Sequence, residues 1–120
     1  MATYYHATAQ TSKKIEDYQV AARWYRDYLA SFPDDPDSAA TNYLLGETLY
    51  ESRQYADSAA EYERTAYGYP KNERSAKAGY ASLVAFQKER ERLTGEAQLA
   101  WHKRQIDAAI KFAESFPEHP

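Results

Sequence analysis

Histidine is the side chain most often used as a general base near neutral pH, and this chain carries three, His6, His102 and His119. They are scattered along the sequence, and no pair has the spacing of metal ligands. The absence of cysteine excludes a thiolate nucleophile and a thiolate zinc site within these 120 residues. His6 could act as a general base, although a surface or hydrogen-bonded histidine is the commoner case. We therefore expect no enzyme activity, no catalytic residue, no metal site and no cofactor.

The other charged clusters have simple structural explanations. Asp34 and Asp35 form a carboxylate pair, but they precede Pro36, where Asp35 can cap a helix that begins at the proline. Residues 88–92 alternate basic and acidic side chains without glycine or aromatic residues, which is typical of a solvated helix face rather than of nucleic-acid contacts. The net charge of −3 gives no attraction for nucleic acid or an anionic membrane. We expect neither as a partner, and no apolar run approaches the roughly 20 residues that cross a bilayer.

An aromatic residue followed by proline recurs along the chain and marks an internal repeat. The three pairs are Phe32-Pro33, Tyr69-Pro70 and Phe116-Pro117. The first two prolines are 37 residues apart, and a fixed period of this length indicates helical hairpins that bury their apolar faces by stacking on one another. We therefore predict a single all-α domain over residues 1–120. Its three antiparallel hairpins are expected to span about residues 3–33, 36–70 and 73–117.

Apolar residues at helical spacing place two helices in each hairpin. The six predicted helices cover residues 3–15, 17–31, 36–52, 54–67, 76–93 and 96–115. The third hairpin is elongated, because Tyr55 corresponds to His102 at a step of 47 residues instead of 37. Ten residues are therefore inserted, within residues 87–98. They form either a longer hairpin tip or a docking prong for a partner.

The second hairpin carries a sequence motif of apolar, small and aromatic residues at fixed spacing. In chain order this pattern consists of Leu45, Gly46, Leu49, Ser58, Tyr62 and Pro70. It resembles the tetratricopeptide repeat, and the resemblance implies a right-handed superhelix with a concave groove that binds other proteins. Hairpin one keeps the second half of the pattern as Ala21 and Tyr25, whereas hairpin three has Ser82-Leu83 where the repeat has Leu-Gly.

The 37-residue spacing and the aromatic-proline ends are also similar to those of a subtype found in bacterial envelope proteins. Its members include the periplasmic Tol-Pal-associated division coordinator and outer-membrane assembly lipoproteins. The resemblance implies a periplasmic or cell-envelope scaffold, with the cytoplasm as the alternative. We also interpret the chain as a fragment of a longer protein, because it stops just after a proline, where a further hairpin would begin.

In tetratricopeptide solenoids the first helix of each hairpin lines the groove, and the resemblance assigns ten residues to that surface. They are His6, Gln10, Lys13, Tyr43, Glu47, Tyr50, Lys77, Tyr80, Val84 and Gln87. This tyrosine-rich surface of mixed charge suits the binding of a peptide or partner segment. Lys13 and Lys77 could hold an acidic side chain. The clamp that some members use for a peptide carboxyl terminus is not recognisable, since Gln10 and Leu44 stand where it has asparagine.

Two other functions remain open. An apolar stripe on the last helix could stack on a second copy of the chain and give a homodimer. The residues of this stripe are Leu99, Ile106, Ile110 and Ala113. A small-ligand-binding or enzyme-accessory role is the third hypothesis. Trp24 and Trp101 lie on the second helices of hairpins one and three, where we expect core or interface packing.

Overall fold

The computed structural model describes residues 2–118, and in that range the only regular secondary structure is α-helix. The six helices are α1 (Ala2–Ser12), α2 (Ile15–Ser31), α3 (Ser38–Glu51), α4 (Tyr55–Tyr67), α5 (Ser75–Arg92) and α6 (Gly95–Ser115). The all-helical prediction is confirmed, and every predicted helix end lies within three residues of the observed one. Hairpin one consists of α1 and α2, hairpin two of α3 and α4, and hairpin three of α5 and α6. His119 lies outside the described residues.

Each hairpin turn contains one residue with left-handed backbone geometry. These residues are Lys13 (φ 61°), Arg53 (φ 65°) and Gly95 (φ 61°). A left-handed residue interrupts the helical hydrogen-bond ladder, so the chain can reverse within a few residues. This explains why α1 ends at Ser12 and does not continue to Ile15, which instead begins α2.

The two linkers between hairpins repeat one local geometry. The side-chain oxygens of Asp35 and Asn72 each accept a hydrogen bond from the backbone N–H two residues further on, at 2.9 and 2.8 Å. These Asx turns come just before the helices that begin at Ser38 and Ser75. The prediction that α3 starts at Pro36 was therefore wrong, because Asp35 organises the turn before the helix and does not cap the helix itself.

The principal contacts join helices that are consecutive in the chain, from α1 with α2 to α5 with α6. Within hairpin two, Tyr50 contacts Tyr55 beside the turn, while Asn42 bonds Thr65 at the opposite end. The two helices are therefore antiparallel. Contacts within hairpins one and three follow the same order. The architecture is a row of stacked hairpins, as the internal repeat requires.

The core extends across the junctions between hairpins. One buried cluster joins α2 to α3 through Ala22, Tyr25, Leu45 and Leu49. A second cluster extends from α3 to α6 and contains Tyr43, Ala59, Tyr62, Ala66, Ala78, Ala85, Phe86 and Ala108. The alanines let neighbouring backbones approach closely, and the aromatic rings fill the remaining space. Stacking of the hairpins therefore contributes to the apolar burial together with packing inside each hairpin.

Close approach of the helices within hairpins two and three depends on glycine. A Cβ atom on Gly46 would lie 2.8 Å from the Tyr62 ring, and one on Gly79 would lie 2.9 Å from the Phe112 ring. Both distances are too short for a side chain without rearrangement. The sequence pattern places Leu83 at the position of Gly46 and predicts that hairpin three lacks this contact. The structure shows that Gly79, one helical turn earlier, supplies it.

Candidate functional site

His6 belongs to a buried polar network that ties hairpin one to hairpin two. Its Nε2 atom lies 2.9 Å from Glu51 Oε1, and its Nδ1 atom lies 3.1 Å from the Tyr25 hydroxyl. Gln10 Nε2 donates a second hydrogen bond to Glu51, at 3.1 Å to Oε2. The His6 side chain is only 5% exposed. Of the predicted groove residues, His6 therefore lies beneath the surface and Gln10 on it.

A second polar group joins α3 to α5. Tyr43 and Glu47 lie one turn apart on α3, and Lys77 Nζ lies 5.5 Å from the centre of the Tyr43 ring. Burial, together with the negative charge of Glu51, raises the pKa of Glu47, although His6, Lys77 and the Tyr43 hydroxyl oppose the shift. Burial also raises the pKa of Tyr43. Predicted groove residues on α1, α3 and α5 thus form one continuous strip, which we call the polar strip. Its residues are His6, Gln10, Tyr43, Glu47 and Lys77.

A cleft lies where the turns of hairpins one and two come together, and we call it the tip cleft. Its volume is about 670 Å³. The lining residues are Gln10, Lys13, Ile15, Tyr18, Tyr50, Glu51, Ser52, Arg53 and Tyr55. Gln10, Lys13 and Tyr50 were predicted to face the groove, and the structure brings these three together here. The tip cleft is the open end of the polar strip.

Two cations that line the tip cleft have no ion-pair partner among the described residues. Lys13 and Arg53 are both exposed, and both occupy the left-handed backbone region that glycine and asparagine usually fill. In the described part of the chain neither side chain has an ion pair or a hydrogen bond. Their positive charges are therefore available to an anionic group that enters the cleft.

The wall of the tip cleft is aromatic and aliphatic. The Tyr50 and Tyr55 rings meet edge to face with their centres 5.2 Å apart, and Ile15 leaves 57% of its surface exposed. Tyrosine and isoleucine side chains in this arrangement offer apolar contact area with little loss of side-chain entropy. A cationic rim beside an apolar wall suits a ligand with a carboxylate next to an apolar group.

The remaining predicted groove residues on α5 lie away from the tip cleft. Tyr80 is 59% exposed and contacts Phe112 on α6, with ring centres 6.4 Å apart. Val84 is half-buried, and Gln87 Nε2 donates a long hydrogen bond of 3.5 Å to Glu91 on its own helix. Lys77 is the predicted α5 residue with a described contact to α3.

The apolar stripe predicted on α6 is exposed. Leu99, Ile106 and Ile110 are 73%, 48% and 52% accessible, and Ala113 is also exposed. The two tryptophans pack as expected for interior or interface positions: Trp24 stacks on Tyr5 at 5.6 Å, and Trp101 Nε1 donates to the Phe86 carbonyl at 2.7 Å. Trp24 nevertheless keeps 41% of its surface exposed.

A second cleft, of about 700 Å³, lies between the two linkers at the opposite end of the hairpins. Its lining mixes acidic Asp34, Asp35 and Asp37 with basic Lys71 and Arg74. The Asp35 carboxylate is already used in its Asx turn. Glu73 also lines the cleft, so four carboxylates accompany the two cations and the charges compensate only in part. We assign no ligand to this cleft.

Six residues of the tip cleft were not among the predicted groove residues, namely Ile15, Tyr18, Glu51, Ser52, Arg53 and Tyr55. The groove prediction considered helix faces alone, whereas the cleft is formed largely by residues in or beside turns. A signal was present, since Lys13 and Arg53 occupy corresponding turns of two stacked hairpins. Stacking must bring such turns side by side.

The described residues also limit the possible chemistry. Over residues 2–118 no helix has the length and hydropathy needed to span a bilayer, and no three histidine or acidic side chains lie together as a metal site would require. No protein-family model matches the chain, and comparison with curated proteins and with solved structures also gives no match. A functional proposal therefore depends on the geometry of the chain itself.

Proposed function

We propose that this chain is a non-catalytic protein-interaction module that binds a partner segment along its polar strip and in the tip cleft. The observation that carries the proposal is that Lys13 and Arg53, two cations without an ion-pair partner, line the tip cleft beside the Tyr50 and Tyr55 rings. Such a site recognises an acidic side chain that is followed or preceded by an apolar one. The neighbouring Glu51 is bonded to His6 and Gln10 and forms no described ion pair with either cation.

The proposal extends to the form of the fold. The period of 37 residues, the stacked hairpins and the Gly46–Tyr62 contact support a tetratricopeptide-like right-handed superhelix. A role as a periplasmic or cell-envelope scaffold follows from the resemblance of the repeat alone, and a cytoplasmic scaffold is the alternative.

The histidine contacts support a structural role and not a catalytic one. His6 is bonded through both ring nitrogens, to Tyr25 and Glu51. His102 Nδ1 lies 2.7 Å from Arg90 Nη1 in hairpin three. Neither histidine belongs to the lining of the tip cleft. A binding function therefore accounts for the exposed groups better than a general base does.

The test uses fluorescent hexapeptides with blocked termini that carry one glutamate beside phenylalanine or leucine, and matched peptides with glutamine instead. We expect the glutamate peptides to bind about tenfold more tightly, by fluorescence anisotropy, because contacts with two exposed cations are lost and each is worth about 0.7 kcal/mol. The double variant Lys13→Asn/Arg53→Asn should lower this affinity to that of the glutamine peptides. Asparagine tolerates left-handed geometry, so these substitutions preserve the turns.

The matched control is Lys88→Asn/Lys103→Asn, which removes two exposed lysines of hairpin three. Its affinity for the glutamate peptides should equal that of the original chain. Equal weakening by the control, or equal binding of glutamate and glutamine peptides, would show that the tip cleft does not recognise an acidic segment. Absence of binding by every peptide would overturn the proposal as well.

A further inference from the structure

We propose that copies of this chain stack end to end, with the outer face of α6 in one copy against the outer face of α1 in the next. The outer face of α6 comprises Leu99, Ile106, Ile110 and Ala113, and that of α1 comprises Tyr4, Ala7, Thr8 and Thr11. This contact is independent of the tip cleft. It would repeat, between molecules, the contact that already joins one hairpin to the next within the chain.

The internal repeat shows what normally covers the second helix of a hairpin. Ala22 on α2 and Ala59 on α4 are 37 residues apart, and both belong to clusters completed by the first helix of the following hairpin. Their exposures are 2% and 1%. Ile106, 47 residues after Ala59, holds the corresponding position on α6 and is 48% exposed. Among the described residues no following helix covers it.

The same comparison shows what the first helix of a hairpin normally covers. Ala78 and Ala85 on α5 are fully buried in the cluster that contains Ala59 of α4. Tyr4 and Thr11 lie 74 residues before these two alanines and therefore occupy the equivalent positions on α1. Tyr4 is 66% exposed and Thr11 is also exposed. The first helix of the described chain thus presents the surface that α5 buries.

The two outer faces are complementary in shape. Tyr4, Ala7, Thr8 and Thr11, together with Ser12, border a shallow hollow of about 360 Å³. Ile106 and Ile110 project from α6 one turn apart, at a rise of roughly 6 Å. Branched side chains at this spacing fit between the small side chains of a facing helix, as in packing of ridges into grooves.

The α1 face can also be buried at little cost in hydration. Helix α1 contains no Asp, Glu, Lys or Arg. The hydroxyls of Thr8 and Thr11 already donate to the backbone carbonyls of Tyr4 and Ala7, at 3.0 and 3.1 Å. Thr48, 37 residues after Thr11, makes the same bond to a carbonyl four residues earlier and is completely buried. The chain therefore already contains a buried example of the α1 arrangement.

The two faces differ, so the contact is heterologous and leaves one free face at each end of every assembly. Growth then continues by addition of further copies and does not stop at a closed dimer. Pairing of α6 with α6 of another copy would instead give a dimer and leave α1 unused. This difference allows the two arrangements to be separated by experiment.

The experiment blocks one face at a time. Ile106→Glu/Ile110→Glu places charge on α6, and Thr8→Glu/Thr11→Glu places it on α1. In sedimentation equilibrium, the unmodified 120-residue chain should show an average mass that rises with concentration beyond twice the 13.8 kDa of one chain. Each blocked variant should remain a monomer. A one-to-one mixture should form a dimer, because each variant still offers the face that the other lacks.

The exposed Arg23 provides a control, and Arg23→Glu should assemble like the unmodified chain. If the glutamate variant fails to fold, the milder Ile106→Ala/Ile110→Ala variant replaces it, because alanine favours helix formation. This variant should weaken assembly at least tenfold. A monomeric unmodified chain, or a mixture that stays monomeric, would overturn the proposal. So would a dimer that forms despite the α1 substitutions. Peptide binding in the tip cleft should be unchanged in the α6 variants and in Arg23→Glu, so failure here leaves that function intact.

Discussion

Hairpins two and three both bring a glycine against an aromatic ring, but they do so at different distances from their turns. Gly46 lies five residues before the end of α3, whereas Gly79 lies thirteen residues before the end of α5. In the 37-residue register, Gly79 occupies the position of Asn42 and Leu83 that of Gly46. A shift of the glycine by one turn therefore moves the closest approach of the two helices towards the linker end. The additional residues of hairpin three then extend beyond this point of closest approach, towards the turn.

The polar contacts of the two hairpins differ accordingly. In hairpin two, Asn42 Nδ2 donates to the Glu61 carbonyl at 2.7 Å and to Thr65 Oγ1 at 3.0 Å, near the linker end of the hairpin. In hairpin three, the described contacts of this kind lie near the turn, where Trp101 Nε1 donates to the Phe86 carbonyl. The position of the small residue thus decides which part of a hairpin is apolar and which part needs polar contacts.

Gly79→Asn should have the largest effect. It gives hairpin three the asparagine that hairpin two has at the corresponding position, Asn42. We expect a loss of about 3 kcal/mol in the free energy of unfolding, since the new Cβ atom would clash with the Phe112 ring. Urea denaturation measures the change. Gln87→Asn, on the exposed side of the same helix, should cost less than 1 kcal/mol. Equal losses would mean that helix propensity, and not space, distinguishes the two hairpins.

Asn42→Ala should have the next largest effect, of about 2 kcal/mol. The substitution removes two buried hydrogen bonds and leaves a small cavity, although it also removes the Asn42 carbonyl oxygen, which has no partner. Thermal unfolding followed by circular dichroism would measure it. Asn72→Ala, in the linker, should cost about 1 kcal/mol through loss of its turn bonds. A larger loss at Asn72 than at Asn42 would contradict the central role of the buried amide.

Trp101→Phe should cost about 1 kcal/mol, because it deletes the bond to the Phe86 carbonyl and reduces the contact with Arg104, whose guanidinium lies 4.6 Å from the Trp101 ring. Hydrogen exchange should become faster mainly in residues 87–98, at the turn of hairpin three. Trp24→Phe is the control, since Trp24 stacks on Tyr5 at a partly exposed site. Faster exchange throughout hairpin two after Trp101→Phe would contradict a local role.

Glu47→Gln should have the smallest effect and the opposite sign, a gain of about 0.5 kcal/mol at pH 7. Because the pKa of Glu47 is raised in the folded state, the folded protein holds this proton more tightly, and the stability of the original chain falls as pH rises through the raised pKa. The gain from Glu47→Gln should therefore shrink as the pH is lowered towards 4.5. Thermal melts from pH 4.5 to 8 measure it. The exposed Glu73→Gln should give no such trend.

The helices could be predicted from the sequence because their limits depend on local signals, such as Pro33 and Pro70 after the second helices. The one-turn shift of hairpin three could not, because both Gly79 and Leu83 lie on α5 and only packing decides which faces Phe112. The candidate site was predicted in part. Buried bonds across helices, such as that from His6 to Glu51, have no sequence signature. Nor does a left-handed turn formed by lysine or arginine, since glycine and asparagine are the usual signals for it.

The packing of each helix mainly on its neighbours in the chain has a mechanical consequence. A force that pulls the two ends apart is carried mainly in series by the contacts between consecutive helices. Hairpin one and helix α6 can therefore detach first while the α4–α5 contact, the most extensive among the described helices, still holds. Under tension the molecule would lengthen stepwise and refold when the force is released.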